Sequence, residues 1–292
     1  MPLQSDNAPG AASGPFAPML RGGKPLPKGE LRTFPIIFKP NSPDNDKYVL
    51  HCTATLIGPR VLLTAAHCLD NGPQITIWDQ NAKGKEHLFD AQCTAHPLYQ
   101  QNINVTADYA LCLLGKELKD VKPEWVSLQP GLLGGEALLV LTGFGCTDIK
   151  DQGKPVVDGD IVARQGGGRI TPLGYTFNPN PGAEDFLTLG AIEGDASLCP
   201  GDSGGAVMLN VDRDGRSVTA DVSPAKLSAR SVLVGVNSGL VSVNDNVSII
   251  AATATVDFRD FLSVWLLEHP GIEVCDLEFR DEDRNARCRQ LD

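Results

Sequence analysis

An all-β molecule with one C-terminal helix is the fold this sequence predicts. Three observations lead there. Short apolar runs recur from Phe34 to Ile250 and are separated by turn residues. The 30 glycines and 21 prolines among 292 residues supply the punctuation. Helical period stands out in one stretch, where Phe258, Phe261, Leu262, Trp265 and Leu266 fall at i, i+3, i+4, i+7 and i+8.

In chain order, residues 1–30 are rich in Pro, Gly and Ala without hydrophobic period and read as a flexible leader or pro-segment. Residues 31–120 carry a first set of strands: Pro35–Phe38, Tyr48–Leu50, Ala54–Ile57, Val61–Leu63, Ile75–Trp78 and Tyr109–Leu113. Lys116–Gly135 reads as a connecting strip. Residues 121–256 carry a second set: Ala137–Leu141, Phe186–Leu189, Ala206–Leu209, Ser231–Val236 and Val247–Ile250. Strands of this length and spacing close into barrels or stack as sandwiches. The helix covers 257–269 and stops at Pro270-Gly271. A charged tail, 270–292, carries Cys275 and Cys288, expected to pair with each other.

Composition excludes several classes. Net charge is −11, which argues against nucleic acid as a partner because phosphate binding needs clustered Lys and Arg. No apolar run reaches membrane-spanning length. The eight cysteines, with no Cys-x-x-Cys pair, favour disulfides over metal and hence an oxidising compartment. Met1–Asn7 lacks the basic head and apolar stretch of a signal peptide, so a secreted location implies a signal already trimmed.

Two motifs carry chemistry. Leu63-Thr64-Ala65-Ala66-His67-Cys68 precedes Gly201-Asp202-Ser203-Gly204-Gly205, with 136 residues (203 − 67) from His67 to Ser203. A serine hydroxyl is a weak nucleophile until an imidazole takes its proton, and the imidazole needs an acid to orient it. Asp108, in Asp108-Tyr109-Ala110-Leu111, lies between them.

These blocks resemble the chymotrypsin/trypsin-like serine proteases, over roughly residues 33–268. The Thr-Ala-Ala-His-Cys and Gly-Asp-Ser-Gly-Gly motifs are both unbroken, and the order His, Asp, Ser is the family's. Ala95-His96-Pro97-Leu98-Tyr99 resembles the family's His-Pro-x-Tyr turn and favours Asp108 over Asp70, Asp79 or Asp90. The resemblance implies two packed antiparallel six-stranded β-barrels with a C-terminal helix. It also implies a serine endopeptidase acting on protein or peptide through an acyl-enzyme, without metal or organic cofactor, as a monomer. Ser203 would be the nucleophile, His67 the base and Asp108 its orienter, with the N–H groups of Gly201 and Ser203 as oxyanion donors. Cys52 and Cys68 match the disulfide beside the family's histidine; Cys93 with Cys112 and Cys146 with Cys199 are further candidate pairs. His51-Cys52 and His67-Cys68 are set aside as zinc ligands, since strand neighbours point to opposite faces.

The pattern departs in two places. The family's Ile-Val-Gly-Gly N-terminus, whose ammonium pairs with the acid before the nucleophile, is absent, while that acid, Asp202, is kept. Leu20-Arg21-Gly22-Gly23 is the nearest match. Either an activating protease cleaves a zymogen after Met19, or this stretch is linker and Asp202 finds another partner. The position six before the nucleophile, the floor of the specificity pocket, is Ser197, beside Leu198. The wall strand Val234–Gly239 is one residue short of the family's and lacks its Trp. Asn237, Ser238 and Gly239 are expected to line the substrate, with Asn237 and Gly239 pairing with its backbone, and Ala251 or Ala252 to lie near the back wall. A pocket without a carboxylate favours apolar or small residues before the cleaved bond, unless Glu193 or Asp195 folds inward.

His87, His96 and His269 read as surface or structural, and Arg164–Arg169 as a flexible glycine-rich surface loop. Asn104-Val105-Thr106 and Asn246-Val247-Ser248 are glycosylation sequons. A catalytically silent binding protein on the same fold is the rival reading.

Overall fold

The computed structural model describes residues 20, 23–26, 32–39, 48–80, 87–100, 107–118, 121–128, 138–146, 162–170, 186–190, 196–211, 230–240 and 247–276. Both sequons' asparagines, Glu193, Asp195 and Cys288 lie outside them. Among the described residues no helix is long and apolar enough to cross a membrane.

The first strand, β1, is Lys24–Pro25. Next come β2 (Thr33–Phe38), β3 (Val49–Gly58), β4 (Val61–Thr64), β5 (Gln74–Trp78), β6 (Leu88–Ala95) and β7 (Ala110–Leu114). Strands β2 to β7 form a closed antiparallel barrel in the order β2-β3-β4-β7-β6-β5. The runs expected at Tyr48–Leu50 and Ala54–Ile57 are one continuous strand, β3, and a bulge in its pairing with β2 lies between Ile36 and Ile37. β6 lacks an apolar run. Its alternate residues Ala91, Cys93 and Ala95 are buried, but they are small, so its pattern is faint in the sequence.

The second sheet comprises β8 (Leu138–Gly143), β9 (Arg164–Ile170), β10 (Phe186–Gly190), β11 (Ala206–Val211), β12 (Arg230–Leu240) and β13 (Val247–Ala252). Its order is β1-β9-β10-β13-β12-β11-β8, and β8 also pairs with β9, so the ladder returns on itself. This is the double-barrel architecture of the chymotrypsin fold. The stretch expected as a glycine-rich surface loop is β9, paired along β8 from Arg164↔Gly143 to Arg169↔Leu138. Glycine weakens a strand, but at Gly166 it is needed: a Cβ there would come within 2.2 Å of the Ala196 Cβ.

The end of the expected leader belongs to this sheet. Lys24 and Pro25 pair with Gln165 and Arg164, and Leu20 is fully buried in a cluster with Leu139, Ala196, Leu198 and Val207. Burial of a leucine favours the seated arrangement by about 2 kcal/mol.

The helix α2 (Val256–Glu268) follows the short helix α1 (Pro97–Gln100) in chain order. The Thr255 hydroxyl caps α2 by accepting the Phe258 N–H at 3.1 Å, and Phe258, Phe261, Leu262 and Trp265 form its buried face. They join one apolar cluster with first-barrel residues such as Leu56, Leu62 and Leu111 and second-barrel residues Met208, Leu233 and Val236.

Candidate active site

Three disulfides frame the site: Cys52–Cys68, Cys93–Cys112 and Cys146–Cys199. Cys275 is also disulfide-bonded. A short 3-10 turn, Ala66–Leu69, carries His67 off the end of β4, with Cys68 bound back to β3. His67 is half-buried between buried neighbours Ala66 and Cys68, so the turn presents the imidazole at the surface.

Asp108 precedes β7 and is 2% exposed. One of its oxygens, Oδ1, accepts the backbone N–H of His67 at 3.0 Å, and Oδ2 lies 2.8 Å from His67 Nδ1. A carboxylate only accepts, so Nδ1 carries the proton and Nε2 remains as the basic nitrogen. Burial lowers the affinity of the His67 ring for a proton. The hydrogen bond and charge of Asp108, with Asp70 behind it, outweigh that and hold its pKa above the ordinary 6.5.

The second barrel also reaches Asp108. Ser238 Oγ donates to Asp108 Oδ2 at 2.6 Å. The pairing of β12 with β13 shifts register between Asn237 and Gly239, which makes Ser238 the extra residue of a bulge. A bulge re-aims a side chain, and here it turns Ser238 toward the carboxylate.

Ser203 sits in the turn between Cys199 and β11. Gly201, Asp202, Gly204 and Gly205 are buried, and Ser203 alone of the five is half-exposed. The turn is closed by Asp202 N–H to Cys199 O at 2.9 Å and Gly205 N–H to Asp202 O at 3.0 Å. Gly201 and Gly204 have φ of 101° and 84°, in the left-handed region that favours glycine. A Cβ on Gly204 would also come within 2.1 Å of Thr53 O and Thr64 Oγ1.

The first barrel grips this turn. Thr53 N–H donates to Ser203 O at 2.7 Å, and Thr53 Oγ1 donates to Gly201 O at 2.8 Å. The Cys68 sulfur lies 3.7 Å from Ser203 O, so the disulfide beside His67 abuts the serine's own backbone. Thr53 has no signal in the sequence beyond its place next to Cys52.

The Asp202 carboxyl is sealed from water. Its two oxygens accept the N–H groups of Gly145 at 2.7 Å and Cys199 at 2.8 Å, and among the described residues no cation lies against it. Burial pushes its pKa up to about 7 despite those two bonds.

The expected pocket residues are divided. Ser197 and Leu198 are buried together, with the Leu198 N–H donating to Ser248 Oγ at 3.0 Å. Ala251 and Ala252 lie on β13 opposite Val236 and Gly235. Gly239 is half-exposed on β12. The expectation that Asn237 pairs with substrate backbone does not fit its surroundings. It is fully buried, its N–H donates to Gly205 O at 2.9 Å, and its carbonyl accepts the Gly204 N–H at 2.7 Å.

Two other histidines, His96 and His269, do structural work. His96 Nδ1 accepts the Leu98 N–H at 3.2 Å, leaving Nε2 to donate to Asp257 O at 3.3 Å, and burial holds its pKa below 6.5. His269 Nδ1 lies 2.7 Å from Trp265 O, and its ring stacks on that tryptophan at the end of α2. Cys52, His67 and Cys68 offer atoms within 4.8 Å of one another, but both sulfurs are bound in a disulfide and cannot serve as thiolate ligands.

The trypsin family model matches residues 38–262. The chain belongs to the trypsin family. Curated relatives include trypsin-4 of Rattus norvegicus, 25% identical over 178 residues, and serine protease 1 of Canis lupus familiaris, 25% identical over 171 residues. Each match covers 56% of this chain and 67% of the relative. A trypsin of Simulium vittatum is 25% identical over 186 residues, with 56% and 68% covered. Membership of the serine protease family and a disulfide-bonded double barrel fit an extracellular setting.

Proposed function

We propose that this chain is a serine endopeptidase in which Ser203 attacks the peptide carbonyl. In this reading His67 Nε2 takes the hydroxyl proton and returns it to the leaving amine. Asp108 holds the Nδ1–H tautomer and stabilises the imidazolium, and Ser238 steadies Asp108. The N–H groups of Gly201 and Ser203 receive the developing oxyanion. The single observation that carries this is the 2.8 Å bond from His67 Nδ1 to a buried Asp108 that also binds the His67 backbone N–H. It holds the ring through Nδ1 and the residue's backbone through its N–H, and leaves Nε2 to act as base.

A fluorophosphonate that forms an adduct on Ser203, lost in Ser203→Ala, is the expected result. A correctly processed chain that forms none leaves a binding protein on a protease fold. Turnover of simple esters with no cleavage of any peptide would make it an esterase instead.

Apolar or small residues are the proposed preference before the cleaved bond. Among the described residues Ser197, Leu198, Ala251 and Ala252 offer no carboxylate, and Leu240 packs on the apolar cluster that includes Leu198. Burying a guanidinium there without a partner costs several kcal/mol. A peptide library answers this, with strict cleavage after Arg or Lys as the contrary outcome.

Activation by cleavage after Met19, in a secreted zymogen, is the proposed regulation. Leu20 already sits in the apolar cluster with Ala196 and Leu198, and Asp202 is a buried acid against which no cation lies among the described residues. The freed Leu20 ammonium is the proposed cation. N-terminal sequencing of the active form tests it, and an active form that starts at Met1 removes it.

A further inference from the structure

We propose that Asn237 is a positioning residue that clamps the oxyanion turn onto the second barrel, an inference that rests on the peptidase reading above. Its carboxamide bridges two elements. Nδ2 donates to Asp202 O at 3.1 Å, in the turn, and to Thr142 O at 2.9 Å, on β8. Its own backbone bonds the two residues after Ser203, receiving the Gly204 N–H and donating to Gly205 O. One residue therefore holds Asp202, Gly204 and Gly205, which surround Ser203 on both sides.

The fit is tight. A Cβ on Gly205 would come within 2.8 Å of Asn237 Nδ2 and 2.1 Å of Thr142 O, so only glycine lets the carboxamide reach both carbonyls. The partners also fix its orientation, because a flipped amide would set Oδ1 against two carbonyl oxygens. Oδ1 is then left buried without a hydrogen-bond partner. A core position filled for packing alone has no use for such a group, since an orphaned buried acceptor is destabilising. The carboxamide is explained by what Nδ2 holds. Oxyanion donors work only when fixed near the position the charge will occupy, so the clamp acts on the chemical step and not on substrate binding.

The test uses the processed full chain, with a small ester substrate and rates counted per fluorophosphonate-titrated Ser203. Asn237→Val removes both donors and fills the site with a slightly larger apolar side chain. The clamp predicts a kcat lowered roughly tenfold or more, with KM changed less than about threefold, since losing one oxyanion donor outright costs on the order of 10²–10³. Asn237→Asp adds a readout that a structural role does not move. Its neutral carboxylic acid donates one hydrogen bond, and its carboxylate donates none. The ratio of its kcat to the wild-type kcat therefore falls as pH rises. The neighbouring acid Asp202 and the base His67 titrate in both proteins, so the ratio separates the new group from them. Equal kcat per titrated site in both variants, or an Asn237→Asp ratio that stays at one across the pH range, overturns the clamp while leaving the peptidase reading intact. Variants that merely yield fewer titratable sites, at unchanged kcat, assign Asn237 to folding and also overturn it. A wild-type chain that neither labels nor turns over ester removes the peptidase reading, and this inference with it.

Discussion

Asp202 is a carboxylic acid held in the dry interior by two backbone N–H groups, and that has a consequence for pH. Its folded pKa of about 7 lies well above the ordinary 3.8. The folded chain therefore binds this proton more tightly than the unfolded chain does. The resulting stability is fully present below the unfolded value and is lost as pH rises through about 7, by on the order of 4 kcal/mol. His67 contributes in the same direction, because its raised pKa gives stability that is present below 6.5 and lost as pH climbs past the folded value. Asp202→Asn isolates the first effect. It removes the titrating group, so its unfolding free energy should vary less between pH 5 and pH 9 than that of the wild type, whatever the offset from turning an amide toward the Cys199 N–H. Parallel curves from urea titrations at several pH values would show that Asp202 is not the group responsible. Catalysis in the proposed reading depends on pH with the opposite sign for His67, since the base must be neutral. Activity should rise with pH through a midpoint above the ordinary histidine value.

Elements were legible in proportion to how much large apolar surface they show. Helix α2 announces itself because Phe258, Phe261, Leu262 and Trp265 share one stripe, and each is buried. Strand β6 was silent because alanine and cysteine carry little signal, and β9 because three consecutive glycines read as a loop. The motif residues His67, Asp108 and Ser203 stand out by chemistry, and the fold brings their segments together. The burial of Asn237 and the reach of Ser238 to Asp108 carry no sequence signal, for a physical reason. The bulge between Asn237 and Gly239 shifts the two-residue alternation, and no period in the sequence announces it. The cap of α2 gives the element-scale prediction. Thr255→Ala leaves the Phe258 N–H without its acceptor and should cost about 1 kcal/mol, seen as a lowered midpoint in chemical unfolding with the slope unchanged. Thr255→Ser, which keeps the hydroxyl, should recover most of that loss. A serine variant as weak as the alanine variant would assign the effect to the threonine methyl instead.

At the scale of the molecule, the two barrels are joined without any of the three disulfides whose partners are both described. Cys52–Cys68 and Cys93–Cys112 lie within the first barrel, and Cys146–Cys199 within the second. The seam is noncovalent and runs through the candidate site. Thr53 grips Ser203 and Gly201, Ser238 grips Asp108, and the buried Tyr109 hydroxyl donates to Ala252 O. Beneath these bonds lies a shared core. Leu56, Leu62 and Leu111 from the first barrel, Met208, Leu233 and Val236 from the second, and four large residues of α2 belong to one cluster. Domains separated by a polar interface melt independently. Barrels that share a core cannot, because opening either one exposes apolar surface on the other at roughly 25 cal/mol per Å². Calorimetry of the oxidised chain should therefore give a single transition, with a van't Hoff enthalpy close to the calorimetric one. Two resolved transitions, or a calorimetric enthalpy near twice the van't Hoff value, would mean that each barrel unfolds without the other. The same experiment links stability to the site, since a barrel that unfolded alone would carry off either His67 and Asp108 or Ser203 and leave the other part standing.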